Sequence, residues 1–114
     1  MGYFESLKQN YRNDYLTESP RKREVLDNAR KEGNVSILPN SNNRAVVIDA
    51  PETVYLQSYD TLILATDKAS GDTIKLWDGY TATTMKHINE YLCGRGHRMM
   101  GKKDWTAINV GGTV

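Results

Sequence analysis

The stretch RAVVIDAPETVYLQSYDTLILATDKASGDTIKLWDGY, residues 44–80, decides the fold class. Its four apolar runs, RAVVIDA, TVYLQSY, TLILATD and TIKLWDGY, are rich in β-branched and aromatic residues, which suit a pleated, half-buried surface. Pro51, Asp60 and the KASGD turn at residues 68–72 separate them, and breakers at that interval mark successive antiparallel strands. In the last run Ile74 and Leu76 alternate with Lys75 and Trp77, the pattern of a strand with one face buried and the other partly wet.

Upstream, LPNSNNR (residues 38–44) collects Pro39, Ser41 and three asparagines, residues that favour turns, so a loop is expected there. Before it the chain reads as helical. Phe4, Leu7, Tyr11 and Tyr15 recur at helical spacing and share one face of a first helix, with Leu16 beside them. A second helix has Ser19 as N-cap, Pro20 at its first position and Gly33 just past its end. Its apolar face is thin, being Val25, Leu26 and Ala29, and Arg21, Lys22, Arg23, Arg30 and Lys31 outnumber its acids, so it should lie on the surface.

Downstream, Thr83 or Thr84 is placed to cap a helix beginning near Met85, with Ile88, Tyr91 and Leu92 as the inward stripe. Gly94 should end it in a left-handed conformation. WTAINV, residues 105–110, reads as a last short strand, and GGTV as a frayed terminus. The sum is an α+β fold with two N-terminal helices, an antiparallel meander of four to five strands and one helix packed on the sheet. It is expected as one domain over residues 1–114, helical over 1–33 and built of sheet plus helix over 44–110.

A chain of 114 residues with 39% apolar and 25% charged residues suits one soluble domain with its own core. The single cysteine, Cys93, excludes an internal disulfide. No spacing of Cys and His resembles a zinc site, so neither metal nor cofactor is expected. No run reaches the roughly 18 apolar residues of a membrane span, and the N-terminus lacks the apolar stretch of a signal peptide. An intracellular protein is expected.

Net charge is +1, yet it is distributed unevenly. Between residues 45 and 80, Asp49, Glu52, Asp60, Asp67, Asp72 and Asp78 stand against Lys68 and Lys75, a balance of −4. Between residues 81 and 103, Lys86, Arg95, Arg98, Lys102 and Lys103 stand against Glu90, a balance of +4 before His87 and His97 are counted. The acids could meet a partner's positive channel, or face water. The basic loop, loosened by Gly94, Gly96 and Gly101, could follow a phosphate backbone through Lys86, Arg95, His97, Arg98, Lys102 and Lys103, with Trp105 available for stacking. Such loops on soluble domains are also commonly just solvated. Seven Tyr and two Trp against one Phe suit an interface, although Tyr3, Tyr11 and Tyr15 would equally line the first helix.

Catalysis is weakly indicated. His87, Glu90 and Tyr91 are neighbours on a helix, but any amphipathic helix displays such a set on its polar edge. Cys93 falls at the helix C-terminus, where the dipole disfavours a thiolate, and is expected as a packed or half-buried side chain. An enzyme is therefore not expected.

Ser58, Tyr59 and Thr61, followed by Tyr80, Thr83, Thr84, His87 and Leu92, form an SYxT strand and a YxxTTxxHxxxxL helix start. In these residues the chain resembles small uncharacterised proteins of bacteriophages and mobile elements, over residues 58–108. That resemblance transfers no activity. It implies a bacterial host cytoplasm and stoichiometric binding to a host protein that handles nucleic acid or serves defence, a CRISPR effector included. The acidic residues would then form the partner-binding surface, and the basic loop remains the alternative, as a nucleic-acid site.

Overall fold

In the computed structural model the described residues are 27–29, 31–59 and 61–114. Five antiparallel strands, β1 (Val35–Ile37), β2 (Ala45–Asp49), β3 (Thr53–Ser58), β4 (Thr61–Asp67) and β5 (Thr73–Lys75), pair in sequence order. β1 lies upstream of the four expected runs. Its three residues, Val35, Ser36 and Ile37, are all exposed, so no run of buried side chains announces it. The LPNSNNR loop becomes the β1–β2 connection, in which Asn40, Asn42 and Asn43 take positive φ (61°, 54° and 63°). Asparagine tolerates that region best after glycine, and the Ser41 hydroxyl donates to Leu38 O at 2.7 Å to tighten the turn.

The run Leu62–Ile63–Leu64 does not alternate, and a bulge explains why. Leu56 pairs with Leu64 while Gln57 pairs with Leu62, so Ile63 is the extra residue and joins Leu64 on one face. On that face Leu38, Val54, Leu56, Ile63 and Leu64 pack against Met85, Ile88, Tyr91, Leu92 and Trp105. The opposite face carries Ile48, Tyr55, Ala65 and Ile74, consecutive cross-strand partners, packed with Ala29 and Val110. Both faces of the sheet are therefore buried.

Two helices follow, α1 (Ala82–Cys93) and α2 (Lys102–Ala107). Thr81, two or three residues earlier than expected, caps α1 by accepting from Thr84 N–H at 3.0 Å. Ile88, Tyr91 and Leu92 face inward as the periodicity requires, joined by Thr84, Met85 and His87. Gly94 is right-handed (φ −62°). The left-handed residue is Gly96 (φ 85°), reached after two further turn residues.

The expected strand at residues 105–110 is absent, because Trp105, Thr106 and Ala107 lie in α2. Asp104 reaches back to start the helix, accepting from Gly101 N–H at 3.3 Å, and Trp105 is wholly buried with its indole N–H donating to Gly79 O at 2.9 Å. The terminus is also not frayed. Thr113 bridges Ile74, and Val114 N–H donates to Thr73 O at 2.8 Å, so residues 111–114 close the β5 edge.

Lys75 departs furthest from the alternation, since it is 1% exposed. Its Nζ donates to Trp105 O and Ile108 O, both at 2.8 Å, lies 4.4 Å from the centre of the Trp105 ring and stands 3.8 Å from Asp78. The buried ammonium thus caps the end of α2, donating to Ile108 O and adding a second donor to Trp105 O, which also accepts from Ile108 N–H at 3.2 Å.

Of the two N-terminal helices, residues 1–26 lie outside the described residues, with Ser19, Pro20, Val25 and Leu26 among them. Residues 27–29 and 31 are helical, and they end as the sequence indicates: Gly33 has φ 75° and Asn34 N–H returns to Ala29 O at 2.9 Å.

Replacing Lys75 by Met keeps the stem but removes both ammonium bonds and leaves Ile108 O without its donor, which should destabilise the fold by about 1–3 kcal/mol. Urea unfolding followed by tryptophan fluorescence measures it. A loss below about 0.5 kcal/mol, the scale of an ordinary surface substitution, would contradict the role given to the ammonium.

Candidate functional site

β3 and β4 are joined by only two residues, 59 and 60, since Ser58 pairs with Thr61. A two-residue hairpin connection favours positive φ, the reason Asn-Gly is usual there. This chain has Tyr59, at φ 54°. A left-handed conformation costs an L-residue on the order of 1–2 kcal/mol, and such outliers persist where surroundings hold them. Tyr59 N–H donates to Arg44 O at 2.8 Å, Gln57 Nε2 donates to Tyr59 O at 2.9 Å, and Arg44 Nη1 donates to the phenol oxygen at 3.4 Å. The ring is 49% exposed and lies 6.1 Å from the His87 imidazole, tilted at 47°.

His87 sits on the inner face of α1, 4% exposed, with Nδ1 2.7 Å from Ser58 Oγ. Burial, followed by the nearby Arg44 charge, holds its pKa below the ordinary 6.5, so the imidazole is neutral at pH 7. The bond ties α1 to the end of β3. Ser58, Tyr59 and His87, three of the residues in the SYxT and TTxxH stretches, therefore meet in space.

The catalytic grouping of His87, Glu90 and Tyr91 suggested by helical spacing does not form. Glu90 accepts from Asn40 Nδ2 at 3.2 Å, and the Tyr91 hydroxyl is 2.7 Å from Thr66 Oγ1, which also bonds Thr73 Oγ1 at 2.7 Å. Burial raises the Tyr91 pKa above its ordinary value. Cys93, expected as a packed or half-buried side chain, is exposed. With Asn40, Lys86, Asn89, Glu90 and Met99 it lines an open groove of about 340 Å³. Among the described residues, no group of three or more His, Cys, Asp or Glu side chains could hold a metal ion.

The acidic residues separate into two sets. Register brings the end of β2, the start of β3 and the end of β4 together, since Asp49 pairs with Val54 and Thr53 with Asp67. Asp49, Glu52, Asp67 and Asp72 therefore share one rim of the sheet, with Lys68 among them. Asp49 is ion-paired to Lys68, and Asp67 accepts from Ser70 Oγ at 2.9 Å and from Ala69 N–H at 3.4 Å, so these two carboxylates shape the 68–72 turn. Glu52 and Asp72 are exposed. Asp78 lies beyond β5, beside Lys75, and Asp60 lies outside the described residues.

The basic residues are gathered around α1 and α2. Asn89 clasps the backbone of Met100, donating to its carbonyl at 2.9 Å and accepting from its N–H at 2.7 Å, which ties the 94–101 loop to α1. Arg95 lies 4.6 Å from the Tyr91 ring centre and Lys102 lies 5.1 Å from that of Tyr80. Lys86, Arg98 and Lys103 are exposed, and His97 is half-buried. Sequence reasoning missed Arg44 and Tyr59. The available signal was an aromatic where a two-residue hairpin calls for Asn-Gly.

The depressed His87 pKa sets a pH dependence. Unfolded chains take up the proton near pH 6.5 while the folded chain resists it, so the stability that neutral His87 supplies is complete above pH 6.5 and falls as pH drops below it. His87→Gln should flatten that fall, measured as urea midpoints at pH 8, 6.5 and 5. Parallel profiles for the two proteins would contradict the assignment.

With this geometry in place, the comparisons add a family. No curated protein and no solved structure matches the chain. The model of a family of unknown function, DUF8033, matches residues 9–107, a span that takes in the five strands and both helices described above. The chain is a member of that family.

Proposed function

We propose that the chain is a non-enzymatic binding protein of phage or mobile-element origin. It occupies a positively charged surface on a host protein that handles nucleic acid or serves defence, as an inhibitor of a CRISPR effector would. The observation that carries this reading is the acidic rim, where the β2–β3 and β4–β5 connections deliver Asp49, Glu52, Asp67 and Asp72 to one end of the sheet. Exposed Glu52 and Asp72 are free to meet a basic partner, while Asp49 and Asp67 hold the turn that presents them. Such complementarity chiefly raises the association rate and selects the partner. Tyr59, half-exposed and held rigidly, has the character of an anchor, since a braced aromatic loses little entropy on contact.

A second reading has its own observation. Exposed Tyr80 lies under Lys102, near Arg98 and Lys103 in sequence, and an aromatic face beside cations is the means by which single-stranded nucleic acid is gripped. On that reading the chain is a small nucleic-acid-binding regulator working through Lys86, Arg95, His97, Arg98, Lys102 and Lys103.

Capture from a bacterial lysate at stepped salt, with a nuclease-treated arm, separates the two. A protein partner that survives nuclease, and whose association slows about tenfold at low salt for the Glu52→Lys, Asp72→Lys double variant, is the expected result. Nucleic acid recovered alone, and lost with Arg98→Glu, Lys102→Glu, would move the function to the basic loop.

A further inference from the structure

The two edges of the sheet are treated differently. At β5 the C-terminal segment closes the edge through the Ile74 and Thr113 bridge and the bonds of Gly111, Gly112 and Val114 to Lys75 and Thr73. Among the described residues nothing comparable happens at β1. Asp49 N–H donates to Asn34 O and Leu38 N–H donates to Ala45 O, so Asn34, Ser36 and Leu38 turn their backbone groups towards β2. By the alternation of an antiparallel ladder, Val35 and Ile37 turn theirs outward. Among the described residues none bonds these outward groups. The two side chains are exposed as well, Val35 at 36% and Ile37 at 57%. They stand opposite Ile48 and Val46 and so continue the apolar face that runs through Ile48, Tyr55, Ala65 and Ile74. An open edge of this kind is a template for one more strand.

We propose that the β1 edge binds the β1 edge of a second copy of this chain, joining two five-stranded sheets into one ten-stranded sheet about a two-fold axis at Ser36. The edge is self-complementary. With Ser36 facing its own copy, Val35 of each chain lies opposite Ile37 of the other. All four outward N–H and C=O pairs then meet as hydrogen-bonded residues, and the apolar side chains stack across the seam. The extended segment 34–38 that would meet its own copy carries no charged residue, so no like charges are opposed. A C2 contact uses one patch twice, as this one does. Three residues a side make a small contact, well below a standard interface of about 1,600 Å², so association is expected only at high protein concentration.

Sedimentation equilibrium from about 10 µM to about 1 mM should show the mass of the wild-type chain rising towards twice the monomer, a range suited to the millimolar-to-micromolar affinity of so small a seam. Ile37→Pro removes one outward donor at an edge position where proline is tolerated, and should abolish the rise while leaving far-UV circular dichroism unchanged. An independent readout uses Ser36→Cys in a Cys93→Ser background. The two thiols would face each other in a non-hydrogen-bonded pair, about 4.5 Å between Cα atoms, within disulfide reach. Mild oxidation should then give a covalent dimer at least tenfold faster than Asp72→Cys in the same background. A chain that remains monomeric throughout, with Ser36→Cys cross-linking no faster than Asp72→Cys, overturns the proposal.

Discussion

The buried ammonium of Lys75 is the contact on which the arrangement depends. A charge inside an apolar layer is tolerated only when its donors are used, and here two carbonyls from the end of α2 and the face of Trp105 receive it. One side chain from the edge strand β5 thereby holds the C-terminal helix on the sheet. With Trp105 seated against Gly79 and residues 111–114 laid along β5, the C-terminal segment is fastened to the sheet and Trp105 joins the core. Since both faces of the sheet are packed, the sheet itself offers its rims, its connections and the β1 edge for recognition.

That constraint shapes the functional account. A protein whose sheet faces are filled recognises others through what its turns present, and those turns are chemically distinct. The Asp49, Glu52, Asp67 and Asp72 rim is acidic, the segment from Arg95 to Lys103 is basic and tethered by Asn89, and the Tyr59 turn offers a braced aromatic beside Arg44. His87 serves that turn from beneath: its neutral imidazole links α1 to Ser58 and stands under the ring of Tyr59. The cost of placing tyrosine in a left-handed turn is a departure from local preference, and such departures concentrate where function competes with folding.

Much of the fold was legible because period and punctuation agree. The meander from Ala45 to Lys75, the inward stripe of Ile88, Tyr91 and Leu92, and the Gly33 helix end follow from alternation, helical spacing and glycine. The errors have physical causes. β1 offers only Val35 and Ile37 about Ser36, an alternation of three residues too short to be read as a strand. Trp105 to Val110 reads as a strand because Trp, Thr, Ile and Val favour strands, but the Asp104 carboxylate on Gly101 N–H and burial of the indole override that preference. Lys75 looked solvated because alternation reports which face a residue is on, and not whether a later segment covers it. The acidic rim was visible only as six scattered residues, since strand register, which no single run encodes, decides which of them meet. Ser58 and His87 were quoted in the same resemblance, but their contact across 29 positions is tertiary.

The central claim is that recognition occurs at the acidic rim, and amide hydrogen exchange on the captured complex tests it most directly. Added protection on binding should appear at Ala50 to Thr53 and across residues 67–72, with residues 94–103 unchanged. Protection confined to residues 94–103, with the acidic connections exchanging as in the free chain, would contradict the account.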